Sequence, residues 1–105
     1  MDSDPVIILS TAGEREARGI AQALVIQHLA ACVNIMPVES VYRWEGKLCE
    51  DREHLLIIKT VTSNADAVMH EIRNLHPYEL PEMIVLPVSG GYLPYLQWLA
   101  EETRS

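Results

Sequence analysis

Basic residues, cysteines and long apolar runs are all scarce in this sequence, and each shortage removes a class of function. Lys and Arg number 8 against 15 Asp and Glu, a formal net charge of -7. Binding nucleic acid requires clustered Lys and Arg to neutralise phosphates, and docking on an anionic membrane surface asks for the same, so neither partner is expected. No apolar run approaches the roughly 20 residues of a membrane span. The 2 cysteines, Cys32 and Cys49, lack Cys-x-x-Cys spacing; in a reducing compartment they read as small buried hydrophobes. The opening Met1-Asp2-Ser3-Asp4-Pro5 is acidic and has neither the positive region nor the apolar stretch of a secretory leader. A cytoplasmic setting is therefore expected. Catalytic signatures are missing too: no Gly-x-Ser-x-Gly, no Gly-rich phosphate loop and no His-Glu-x-x-His. The chain reads as a non-enzyme. Without repeats, low-complexity tracts or a linker, residues 1–105 read as one domain.

Apolar residues, by contrast, are plentiful at 49%, high for so short a chain. Much of that content lies between Asn34 and Val61, on either side of Trp44-Glu45-Gly46-Lys47. Gly46 can take positive φ at no steric cost, as a short hairpin turn requires. The arms predict a β-hairpin longer than the usual strand of about five or six residues. A small domain cannot cover so long a ribbon alone, so its tip asks for a partner. Pro37 lies in the first arm and cannot donate to a ladder, so that arm should bend, bulge or run along an edge.

The remaining elements follow from pattern. Val6 to Leu9 is a short β-branched run, expected to be a strand buried on both faces. Thr11 and Glu14 have capping-box spacing. Ala17, Ile20, Ala21, Leu24, Val25, His28 and Leu29 then recur at helical spacing. His28 on that stripe reads as a partly buried structural histidine, with a ligand role as the alternative. A second helix starts at Ser63 to Asp66, presents Val68, Met69, Ile72 and Leu75, and stops at Pro77. Met83 to Leu86 is the last strand. Gly90-Gly91 breaks the chain, as a tight turn or an anion-holding loop, and Pro94 opens a C-terminal helix. This order is the α+β, ferredoxin-like β-α-β-β-α-β arrangement with an extra helix. Helices would cover one sheet face and leave the other to a second subunit.

Two charged pairs, Glu53-His54 and His70-Glu71, read as exposed. The loop His76-Pro77-Tyr78-Glu79-Leu80-Pro81-Glu82 concentrates an imidazole, a phenol and two carboxylates between prolines. Two readings stand for it: a divalent-metal site on His76, Glu79 and Glu82, or a rigid connection in which Glu79 caps backbone N–H groups.

At this loop the sequence resembles the CutA family, the divalent-cation tolerance proteins. The matching stretches are Leu29 to Ile35, Tyr42 to Lys47, Ile58 to Thr60, His76 to Glu82 and Tyr95 to Trp98. The resemblance implies a ferredoxin-like homotrimer whose hairpins reach neighbouring subunits, with a role in tolerance to copper and other divalent metals. It also implies an architecture like that of the PII signalling proteins; the alternative function is a PII-like signalling module that binds a small ligand between subunits. Asn34, Trp44, Lys59, Tyr78 and Glu79 are the polar or amphipathic members of the matching motifs and the candidates for that pocket. Family copper sites use a Cys at the end of the first strand and histidines before the Pro-Tyr. Here Ser10 and Leu75 stand at two of those places and His76 alone remains. Soft Cu(I) prefers thiolate and imidazole, so only weak copper binding is expected and no cofactor is required.

Overall fold

Two stretches of alternating apolar residues and one tight turn dominate the architecture. In the computed structural model, which describes residues 3–104, β2 (Cys32–Trp44) and β3 (Lys47–Val61) form the long hairpin. Met1, Asp2 and Ser105 lie outside the described residues, and with them the start of the acidic N-terminal stretch. Glu45 and Gly46 have φ of 51° and 77°, the two left-handed residues of a type I′ turn. Only Gly46 takes that conformation without a steric cost.

The hairpin is half of a four-stranded antiparallel sheet in the order β2-β3-β1-β4, with β1 at Pro5–Ala12 and β4 at Ile84–Pro87. Helices α1 (Glu14–Ile26) and α2 (Ala65–Leu75) pack against it, and α3 (Leu93–Glu102) closes the chain. This is the expected α+β order. The core joins Ile8 of β1, Leu56 and Ile58 of β3, Ile20 and Leu24 of α1, and Val68 and Ile72 of α2. β2 is an edge strand, which accommodates Pro37.

Register divides the hairpin into two lengths. β3 pairs with β1 only as far as His54, opposite Ala12. Beyond it, the seven pairs from Val38↔Glu53 to Trp44↔Lys47 form a ribbon with no third strand among the described residues. At ~3.4 Å per residue the ribbon projects about 24 Å. Most of its apolar side chains are uncovered: Val41 is 64% and Leu48 70% exposed, while Val38 and Cys49 are half-buried.

Several local expectations are corrected. Thr11 does not cap α1: it lies in β1 opposite Leu55, and Gly13 takes the N-cap without a side-chain bond. Sheet pairing outweighed the capping pattern. In this single chain β1 buries Val6, Ile8 and Ser10 on one face, while Ile7 and Leu9 are only half-buried. His28 is exposed, because the helix ends at Ile26 and the chain turns through φ 59° at His28. Its Nδ1 bonds the Glu102 carbonyl at 2.9 Å, tying the end of α1 to α3. A single 3-10 turn at Thr62–Asn64 precedes α2. That helix starts within Ser63 to Asp66 as expected, with Asn64 at the N-cap but without a side-chain cap bond; its amide reaches the carbonyls of His28, Leu29 and Thr103 at 3.1–3.4 Å. The last strand begins one residue later than expected.

Candidate functional site

Residues from the ribbon and from the loop after α2 meet around a cleft of about 670 Å³. Period-two alternation sets the ribbon side: Ser40, Tyr42 and Trp44 share a face with Asp51 and Glu53 of the facing arm. The Tyr42 hydroxyl donates to Asp51 Oδ2 across the diagonal of the ladder. That bond, with the Asp51 charge beside it, pushes the Tyr42 phenol up to about 12.

The loop side is fixed by His76 and Tyr78. Helix α2 ends at Leu75, and His76 takes extended backbone ahead of Pro77. The His76 ring is 5% exposed and both its nitrogens are engaged. Nδ1 lies 3.1 Å from the Tyr78 backbone nitrogen and accepts its N–H, so Nε2 carries the proton and donates to the Thr11 carbonyl at 2.6 Å. The rings of His76 and Tyr78 lie 4.4 Å apart. From that position the Tyr78 hydroxyl donates to Glu53 Oε1 at 3.0 Å. Burial first, then the bond to Glu53, pushes the Tyr78 phenol up to about 12.

Of the residues selected from sequence, Trp44, Tyr78, Glu79 and Glu82 line this cleft. Asn34 and Lys59 do not: they sit at the base of the hairpin, where Asn34 faces Ile57 and Lys59 faces Cys32. Ten positions separate Asn34 from Trp44, about 34 Å along a strand. Glu53 was missed. It is buried, not exposed, and its carboxylate accepts from the Tyr78 hydroxyl. The signal was the alternation Asp51, Glu53, Leu55, Ile57, which puts both acids on the face that becomes the sheet's open side.

Among the described residues no three His, Cys, Asp or Glu side chains converge on a common point. His76 could bind an ion only by releasing Tyr78 N–H or Thr11. The Ser10 hydroxyl, at the place of the family's cysteine, is fully buried and without a hydrogen-bond partner among the described residues, and a hydroxyl is a poor ligand for soft Cu(I). Leu75 offers no donor. These residues do not fit a resident copper ion.

Comparisons with known proteins bear on the same stretches. The family model described as CutA1 divalent ion tolerance protein matches residues 6–102. The divalent-cation tolerance protein CutA of Thermus thermophilus is 45% identical over 101 residues, covering 95% of this chain and 98% of that protein. The Homo sapiens protein CutA is 48% identical over 93 residues, which are 88% of this chain and 52% of the human protein. The chain thus spans nearly all of the bacterial relative and about half of the human one. Among solved structures, the PII-like protein CutA from Nostoc sp. PCC 7120 superposes with a TM-score of 0.90 at 36% identity, covering 94% of this chain and 97% of that one. The structure described as the periplasmic divalent cation tolerance protein CutA of Archaeoglobus fulgidus gives 0.93 at 35% identity, covering 95% and 99%.

Proposed function

This chain belongs to the CutA1 divalent ion tolerance family, and from that premise we propose that it acts as a cytoplasmic homotrimer in divalent-metal tolerance rather than as an enzyme. One observation carries the assembly: a ribbon of seven cross-strand pairs leaves the sheet with most of its apolar side chains uncovered. A two-stranded hairpin is marginal in water by itself, so a neighbouring subunit is the source of its missing support. Copper contact is weak in this reading. It runs through the carboxylates of Glu79 and Glu82, with His76 or a neighbour's residue joining only as the loop shifts. Sedimentation equilibrium should give the mass of three 11.8 kDa chains; the mass of one would overturn the assembly. Calorimetric titration with Cu(II) should give weak binding that is lost in the Glu79→Gln, Glu82→Gln double variant. Tight retention of Cu(I) would show the ligands to be elsewhere.

The cleft itself favours a second reading, a signalling module that binds a small ligand. About 670 Å³ walled by Trp44, Tyr78 and Glu79 suits a small molecule better than a bare ion. A thermal-shift screen tests it, since a ligand that binds only folded protein raises its stability.

A further inference from the structure

Two opposite charges on one face of the sheet lack charged partners. Alternation along β3 puts Glu53, Leu55, Ile57 and Lys59 on the face turned away from the core residues Leu56 and Ile58, and so away from α1 and α2. Glu53 is 7% exposed, yet its one hydrogen bond among the described residues comes from a neutral donor, the Tyr78 hydroxyl at Oε1. A carboxylate taken out of water is costly unless a cation or several donors compensate it. Its Oε2 is not sealed off, because among the described residues the Ser10 hydroxyl is the one fully enclosed polar side-chain atom without a partner. Lys59 is half-buried between Ile7 of β1 and Cys32 of β2. Its ammonium makes no ion pair or hydrogen bond among the described residues.

The two charges cannot satisfy each other within one chain. Six positions separate them on a continuous strand, about 20 Å, well beyond the reach of a lysine side chain. Between them lies an apolar strip, in which Leu55 and Ile57 of β3 and Ile7 and Leu9 of β1 are all half-buried. Whatever covers this strip has to bring a cation to one end and an anion to the other. A metal ion or a small cation would answer Glu53 and leave Lys59 and the strip as they are. An anion would answer Lys59 alone. A second copy of the same face carries all three parts: an apolar strip, a free ammonium and a carboxylate short of a cation.

We infer that this sheet face docks on another copy of the chain, with Lys59 of one subunit paired to Glu53 of the next. The inference rests on the homotrimer reading and names the face and the charges that pin it. In a head-to-tail ring each subunit gives Lys59 to one neighbour and Glu53 to the other, so closure with three copies leaves no charge over. Such a pair also sets the register of the contact, since sliding one face along the other would bury both charges unpaired.

The test is a double-mutant cycle on the full chain, read as the dissociation constant of the assembly by sedimentation over a dilution series. Glu53→Gln keeps the acceptor for Tyr78 and removes the charge; Lys59→Met keeps the stem and removes the ammonium. Each single variant should weaken the assembly by about tenfold or more, as loss of a close charge pair does. The double variant should be no weaker than the worse single one, because the second change removes a charge already left alone. Lys59→Arg should assemble nearly as well as the native chain. Additive losses in the double variant, or single variants that assemble unchanged, would overturn the pair and leave the homotrimer standing. A native chain that sediments as a monomer would count against both. Where Glu53→Gln does not fold, a crystal structure of the native assembly decides: Lys59 Nζ of one subunit should lie within hydrogen-bond reach of Glu53 Oε2 of its neighbour. A different basic residue on Glu53, or Lys59 facing solvent there, would overturn the inference.

Discussion

The base of the hairpin and its outer ribbon are built from the same two strands, yet they are held by different things. At the base, Leu56 and Ile58 are fully buried between β1, β2 and the helices. On the ribbon, the corresponding apolar positions Val41 and Leu48 lie open. Strand propensity and cross-strand pairing are similar in both, so they cannot be what separates them. The difference is the third strand and the helix above it. The base can stabilise itself within one chain, while the ribbon depends on what it meets.

The comparison can be broken first at the base. Leu56→Ala should cost about 4 kcal/mol, as loss of a fully buried leucine does, and should lower the thermal midpoint equally at every protein concentration. Trp44→Ala should behave differently. Trp44 is 37% exposed in the single chain, so most of its contribution should come from the assembly, about 3 kcal/mol for a tryptophan truncated out of a packed site. Its midpoint should fall more on dilution than that of the wild type. A concentration-independent drop would place Trp44 with the base.

A smaller effect is expected at the turn. Gly46→Ala forces a side chain into φ 77° and should cost about 1–2 kcal/mol. Hydrogen exchange should locate the loss at the ribbon end, leaving the amides of β1 protected. The smallest effect concerns pH. The Tyr78 phenol is raised to about 12 in the folded protein, against about 10 unfolded. Folded protein thus holds this proton more tightly, and the contribution is present below about pH 10 and lost as pH rises towards 12. Tyrosinate absorbance of Glu53→Gln should show Tyr78 ionising at lower pH; an unchanged titration would mean that Glu53 does not hold it.

Most of the fold was legible because local signals agreed with one another. Gly46 marked the turn, Pro37 marked an edge, and helical spacing selected Ala17, Ile20 and Leu24. Failures came where a distant partner decided. Thr11 and Glu14 look like a cap until β3 pairs with Thr11. His28 continues an apolar stripe by count, but the chain has already left the helix and reaches α3 instead. The cleft was legible only in part. Trp44, Tyr78 and Glu79 stood out in recognisable motifs, whereas Glu53 is buried and bonded to a hydroxyl 25 positions further along the chain. No pattern within β3 alone reveals that contact.

Pro37 has a consequence for solubility. As an edge strand, β2 offers thirteen residues of backbone to any extended chain that drifts alongside. Such edges template runaway strand addition and fibril growth. A proline in an edge strand leaves its missing donor on the outer side, so the thirteen-residue edge becomes two short ones, Cys32 to Met36 and Val38 to Trp44. A stray strand zipping along the inner half meets a gap before it reaches the ribbon. Pro37→Val should restore a continuous edge, and with it a tendency to form thioflavin-positive aggregates that the native chain resists.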